Sequence, residues 1–109
     1  MLDSMGPGGV VACVVAAVAD APIIRRDLAT KSIRQVRDAA PGECLAATVA
    51  ALDAYDACGV RIAREPGEIR ADDPSIVLAV EGCDFLEGDL DRLDAMAARG
   101  VRSIQLTHY

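Results

Sequence analysis

The sequence predicts an α/β fold in which alternating βαβ units build a mostly parallel sheet, and three observations lead to this prediction. Short β-branched runs at 8–20, 75–81 and 101–107 indicate strands. Amphipathic stretches that end at a glycine indicate helices. The connections between strand, helix and strand are short, which is typical of parallel strands joined by right-handed crossovers. At 109 residues, the chain is expected to form one domain, residues 1–109.

The first element is an apolar run at 8–20, and its valines predict a strand that is buried on both faces. The polar stretch at 24–40 follows, and Pro41-Gly42 ends it. Its apolar residues have a spacing that suits one surface helix or two short ones: Ile24, Leu28, Ile33 and Val36.

A better helical pattern covers 43–58. Three apolar residues fall on one face of that helix: Leu45, Val49 and Leu52. Gly59 stands where a C-terminal cap belongs. The alternating residues 60–63 then predict a short strand, and 68–73 are expected to contain one helical turn.

The second buried strand is predicted at 75–81 and ends in a carboxylate, that of Glu81. The last helix is predicted at 89–99, with acidic residues in its first turn and an apolar face made by Leu90, Leu93 and Ala97. A final strand at 101–107 leads into His108. With about four strands and three helices, the chain corresponds to half of a barrel or to a small open sheet.

Composition excludes several classes of protein. The net charge is −6 and the basic residues form no stripe, so no nucleic-acid partner is expected. No apolar run is long enough for a membrane span, and the first nine residues lack the positive charge of a secretory signal, so a cytoplasmic location is predicted. Four widely spaced cysteines are expected to be free buried thiols: Cys13, Cys44, Cys58 and Cys83.

Two side chains stand out as candidates for chemistry, because ligands of parallel α/β proteins gather beyond the carboxyl ends of the strands. Glu81 and His108 both occupy such ends, and their strands are expected to be near neighbours. A carboxylate and an imidazole together suit metal binding or proton transfer. The structural alternatives are a Glu81 that caps a helix or lies in a surface loop, and a frayed, solvated His108. A nearby acidic cluster is expected to be solvated surface: Asp84, Glu87, Asp89, Asp91 and Asp94.

The segment 77–109 resembles the membrane (renal) dipeptidase family, an amidohydrolase-type group of metallopeptidases. The positions that match its pattern are Glu81-Gly82, Leu90 and Leu93, Gly100-Val101-Arg102, and Leu106-Thr107-His108. Gly8-Gly9-Val10 also resembles the start of a strand in that family.

The resemblance implies a partial (β/α)8 TIM barrel and a zinc-dependent hydrolase that cleaves dipeptides with metal-activated water. It assigns Glu81 as the carboxylate that bridges two Zn²⁺ ions. It assigns His108 as a substrate-side residue that stabilises the charge developing on the scissile carbonyl oxygen. No other cofactor is implied.

This sequence also departs from the family pattern. The family's first-strand His-x-Asp pair would lie before residue 8, where there is no histidine, and its later metal ligands would lie beyond Tyr109. A complete barrel takes about 250 residues, so the chain is expected to form part of one, with an incomplete zinc site and no activity in isolation. Exposed sheet edges would then favour a homo-oligomer or require the missing chain segments. The alternative is a non-catalytic, stand-alone α/β module that binds a partner or self-associates through an open sheet edge.

Overall fold

The computed structural model describes residues 9–108, which form a four-stranded parallel sheet, a β-hairpin and two α-helices. In chain order the elements are β1 (Ala12–Val18), β2 (Ile24–Asp27), β3 (Ser32–Gln35), α1 (Glu43–Ala57), β4 (Arg61–Ile62), β5 (Ser75–Glu81), α2 (Asp91–Ala98) and β6 (Val101–Gln105). Short 3-10 turns lie at Ala21–Ile23 and Pro66–Glu68.

Strand β5 is the centre of the sheet. It pairs along its whole length with β1, in parallel register from Ala12 opposite Ser75 to Val18 opposite Glu81. Its other edge pairs with the short β4 at its beginning and with β6 from Leu78 onward, again in parallel. The prediction of an α/β fold with a mostly parallel sheet is therefore confirmed, and the described residues form no closed barrel.

One face of the sheet packs against the helices, and the other carries no helix of the described residues. Alternate residues of β5 point to the helical face, where the core contains Val15, Ile76, Leu78, Val80, Leu52, Phe85 and Met96. On the opposite face, Val14 is 60% exposed. The prediction that the first strand is buried on both faces is therefore wrong, because helices cover only one of them. We call the other face, which includes Val14, Val77 and Glu81, the open face.

The stretch at 24–40 forms a hairpin and not the predicted helices. Strands β2 and β3 pair in antiparallel register, with Arg25 opposite Arg34. The connecting turn is stabilised by the Asp27 carboxylate, which accepts hydrogen bonds from the backbone N–H groups of Ala29 (2.9 Å) and Thr30 (3.3 Å). This local side-chain bonding competes with a helix and outweighs the weak helical spacing of the apolar residues. The chain has two α-helices within 9–108, and not about three.

The predicted helices at 43–58 and 89–99 exist with slightly shorter bounds, but their buried faces differ from the prediction. In α1 the fully buried positions are Cys44, Thr48 and Leu52, while the predicted Leu45 and Val49 are only partly buried.

In α2 the predicted face is wrong, because Leu90 is 68% exposed and Met96 is the buried residue. The side chain of Phe85, from the preceding loop, is fully buried and occupies the core beneath this region.

The cysteine prediction holds only in part. Cys44 is buried, and burial followed by nearby carboxylates raises the pKa of its thiol. Cys58 is exposed at the end of α1, and Cys83 is half-buried.

No helix within residues 9–108 is long and apolar enough to cross a membrane. The predicted start of the first strand at Gly8 lies outside the described residues.

Candidate functional site

The carboxyl ends of β1, β5 and β6 meet at one edge of the sheet. Two backbone hydrogen bonds fix them there: Ala19 N–H donates to Glu81 O (2.9 Å), and Gly82 N–H donates to Gln105 O (2.9 Å). The structure thereby brings the two residues predicted from sequence together. Nε2 of His108 lies 3.3 Å from Oε2 of Glu81.

A third member of this group, Asp20, was missed by the sequence reasoning. Its carboxylate is buried, with Asp20 only 5% exposed, and Oδ1 lies 2.9 Å from Nδ1 of His108. Asp20 follows the end of β1 by two residues, so the strand-end rule that selected Glu81 would also have selected it. We call Asp20, His108 and Glu81 the carboxylate–histidine cluster.

The cluster holds the His108 ring between two carboxylates. A carboxylate oxygen lies near each ring nitrogen, at 2.9 Å from Nδ1 and at 3.3 Å from Nε2. The two contacts also fix the orientation of the ring, because rotating it would break the bond to the buried Asp20.

The chain turns into the loop after β5 at Gly82, beside this cluster. Gly82 has a φ of +90°, a conformation that L-residues with a side chain rarely adopt. A Cβ there would lie 3.7 Å from the Cβ of His108, 3.8 Å from that of Ala19 and 2.9 Å from Oδ2 of Asp84. The backbone conformation therefore calls for glycine here, whereas a Cβ would make only ordinary contacts with His108 and Ala19.

A cleft of about 400 Å³ opens beside the cluster. The base of the β2–β3 hairpin, through Ile23 and Gln35, forms part of its wall. The complete lining is Asp20, Ile23, Gln35, Cys83, Asp84, Leu106, Thr107 and His108. The cleft is open, polar and acidic, which suits a small cationic or metal-associated ligand better than an apolar one.

The acidic cluster predicted to be solvated surface has mostly local structural roles. Asp89 accepts a hydrogen bond from the N–H of Asp91 at the start of α2 (3.0 Å). Glu87 accepts one from Gly42 N–H (2.8 Å) and lies 3.3 Å from the guanidinium of Arg92. Asp84 differs from the others, because it lines the cleft.

The donor set of the cluster fits zinc in kind, since carboxylate oxygen and imidazole nitrogen are both common ligands of that ion. It does not form a complete metal site. Within residues 9–108, no group of three or more His, Cys, Asp or Glu side chains is arranged to hold a metal ion. Any metal bound here would need further ligands from outside these residues.

The family to which the chain belongs is not established by comparison with known proteins. No protein-family model matches the sequence, and no curated protein and no solved structure is significantly similar to it.

Proposed function

We propose that this chain supplies part of the active site of a zinc-dependent, membrane-dipeptidase-like metallopeptidase that hydrolyses dipeptides. The observation that supports the proposal best is the contact between His108 Nε2 and Glu81 Oε2, 3.3 Å apart at the carboxyl ends of neighbouring parallel strands. This edge is where enzymes built on (β/α)8 barrels keep their catalytic residues.

The two-layer architecture agrees with part of such a barrel. In a (β/α)8 barrel, helices cover only the outer face of the sheet, and the inner face packs against the remaining strands. Here the helices lie on one face, while Val14 and Val77 lie on the open face. Among residues 9–108, strands β1 and β6 each pair only with β5, so both have an edge that another strand could extend.

Glu81 is proposed as the bridging metal ligand. Its side chain is 39% exposed at the strand end, so its carboxylate is accessible to solvent. A carboxylate has two oxygens and can therefore contact two cations at once. When bound, the zinc pair would supply Lewis-acid activation of the water that attacks the peptide bond.

His108 is proposed to face the substrate. If Glu81 bound the metal ions, its carboxylate would no longer hold Nε2 of His108, and an N–H there would stabilise the negative charge that develops on the scissile carbonyl oxygen during attack. Asp20 keeps the Nδ1 side of the ring occupied and so directs the Nε2 side towards Glu81. The buried carboxylate of Asp20 therefore acts as a positioning group for the histidine.

The test uses the complete reading frame that contains this chain, assayed for hydrolysis of dipeptides and for zinc content. Glu81→Gln is expected to lower both zinc content and hydrolysis. His108→Ala is expected to retain zinc while kcat falls by about 10²-fold to 10³-fold. Glu65→Gln, an exposed carboxylate far from the cluster in sequence, serves as the matched control and is expected to change neither. Full hydrolysis by the Glu81→Gln protein would refute the assignment of the bridging ligand.

The second candidate is a non-catalytic module that self-associates or binds a partner through its open sheet edges. Two observations favour it. Val14 of β1 is exposed on the open face, and no other described strand extends the free edges of β1 and β6. Light scattering on the 109-residue chain separates the candidates, together with zinc analysis. A discrete dimer that contains no zinc and has β1 and β6 at its interface would favour the non-catalytic module.

A further inference from the structure

The β2–β3 hairpin concentrates positive charge in an otherwise acidic chain. The protein as a whole has 11 Lys and Arg residues against 17 Asp and Glu. Residues 24–37 contain one acidic residue, Asp27, and five basic ones: Arg25, Arg26, Lys31, Arg34 and Arg37. The hairpin is therefore a local basic surface on a protein whose remaining surface is strongly acidic.

The hairpin cations differ from the other arginines of the chain in their bonding. Outside the hairpin, each described arginine bonds to a carboxylate or a carbonyl within the protein: Arg61, Arg64, Arg70, Arg92, Arg99 and Arg102. Within the hairpin, Arg37 forms a two-point ion pair with Glu43, at 2.7 Å for both contacts.

The positive charges of the other hairpin cations have few or no bonding partners among residues 9–108. The side chains of Arg26, Lys31 and Arg34 make no hydrogen bond or ion pair there, and the Arg25 side chain bonds only to the neighbouring Ile24 carbonyl (2.7 Å). These charges are thus available to an anionic partner.

Strand register places two of these cations face to face. Arg25 lies directly opposite Arg34 in the antiparallel pair, and like charges in that position destabilise a hairpin. They border a shallow depression of about 460 Å³, which Arg26 and Leu28 also line. The Asp27 carboxylate at its rim is occupied by the N–H groups of the turn, and these hydrogen bonds lower its pKa. A bound carboxylate would relieve the repulsion between the paired guanidinium groups.

The hairpin also exposes apolar surface. Leu28 at its tip is 78% exposed, and Ile33 on β3 and Val36 just after it are exposed as well. Residues 28–41 are all exposed, while the base is fixed by the Arg37–Glu43 pair and by Val36 N–H donating to Ile23 O (2.8 Å). A two-stranded hairpin with both faces in water is marginally stable, and its free strand edges are able to accept another extended segment.

We propose that the β2–β3 hairpin is a docking surface for an extended peptide segment of a partner protein in which acidic and apolar residues alternate. Arg25, Arg26 and Arg34 bind its carboxylates, and Leu28 contacts its apolar side chains. Nucleic acid fits less well, because residues 24–37 contain no aromatic side chain for base stacking and the net charge of the protein is −6. The proposal is independent of the peptidase activity proposed above.

Fluorescence anisotropy tests the proposal with the intact 109-residue chain and a labelled synthetic peptide of alternating Glu and Leu. The wild type is expected to bind at low ionic strength and to bind more weakly as salt is added. Arg34→Gln is expected to raise Kd about threefold, and Arg26→Gln with Arg34→Gln about tenfold. Amide chemical-shift changes are expected to be confined to residues 24–37.

Arg70→Gln is the matched control, since it removes one exposed positive charge outside the hairpin. It is expected to leave Kd unchanged within about 1.5-fold. An equal loss of affinity in Arg70→Gln and Arg34→Gln would show unspecific attraction and overturn the proposal. Tighter binding of a single-stranded oligonucleotide than of the acidic peptide, at the same salt concentration, would also overturn it.

Discussion

Replacement of Gly82 by alanine tests the link between backbone conformation and the carboxylate–histidine cluster. Gly82 has a φ of +90°, and the methyl group of alanine would be placed 2.9 Å from Oδ2 of Asp84. It would also lie 3.7 Å from the Cβ of His108, which is an ordinary van der Waals contact. The substitution thus combines backbone strain with one steric conflict.

The backbone strain contributes more to the loss of stability than the steric conflict does. A left-handed conformation costs an L-residue with a side chain about 1–2 kcal/mol. Alanine also restricts the unfolded chain, which offsets about 0.4–1 kcal/mol of that cost. Asp84 is exposed and its carboxylate is free to rotate away, so the steric conflict adds little. We expect Gly82→Ala to lower the free energy of unfolding by about 1 kcal/mol and Tm by about 4–8 °C.

Urea denaturation and calorimetry measure the effect, with Gly67→Ala as the matched control. A Cβ added at Gly67 would have no neighbouring atom within 4 Å, and Gly67 lacks a positive φ, so alanine there is expected to be neutral or slightly stabilising. The double variant Gly82→Ala with Asp84→Ala separates the two terms. If it regained wild-type stability, the steric conflict would be the cause and the backbone argument would be refuted.

Two further predictions concern stability. The hydrogen bonds from Arg37 and from the Ala40 N–H hold the pKa of Glu43 at about 2, below the usual 4.5. The stabilisation by this pair is therefore complete above pH 4.5 and is lost as the pH falls through about 2. An NMR titration of the Glu43 carboxyl carbon should give this low midpoint, and Arg37→Gln should return it towards 4.5. Phe85→Ala should lower the free energy of unfolding by about 4 kcal/mol, because Phe85 is fully buried. The control Leu90→Ala, at an exposed position, should change the free energy of unfolding by no more than about 0.5 kcal/mol in the same denaturation assay.

The parallel sheet was predictable because strand type follows from composition over short windows. β5 occupies Ser75–Glu81, as the run SIVLAVE predicts, and Gly59 ends the predicted helix α1. The hairpin was not predictable from apolar spacing, since the Asp27 carboxylate bonds to its turn and the ion pair of Arg37 with Glu43 lies at its base. Both are local polar interactions that periodicity does not register.

The buried face of α2 was mispredicted for a tertiary reason. Its leucine spacing is regular, but the fully buried Phe85 comes from the loop before the helix and enters the core, and Met96 is the helical residue buried with it. Leu90 is left in solvent. A pattern within one helix does not reveal a core residue contributed by the preceding loop.

The candidate site was predicted in part, because Glu81 ends β5 and His108 follows β6, the strand paired with it. Asp20 was not singled out, although it ends the predicted strand 8–20 and the strand-end rule that selected Glu81 applies to it as well. Its importance is visible only from its burial and from the 2.9 Å contact with His108.

The open face connects the stability of the chain with its proposed chemistry. Because side chains alternate along a strand, Val77 and Glu81 of β5 lie on this same face, with Glu81 at the carboxyl end. Any segment or partner that covers the exposed Val14 and its neighbour Val77 would therefore also reduce the access of water to Glu81. Removing water lowers the local dielectric and strengthens the interaction of a carboxylate with a cation. Covering this face would thus strengthen the binding of a cation by Glu81, as the proposed function requires.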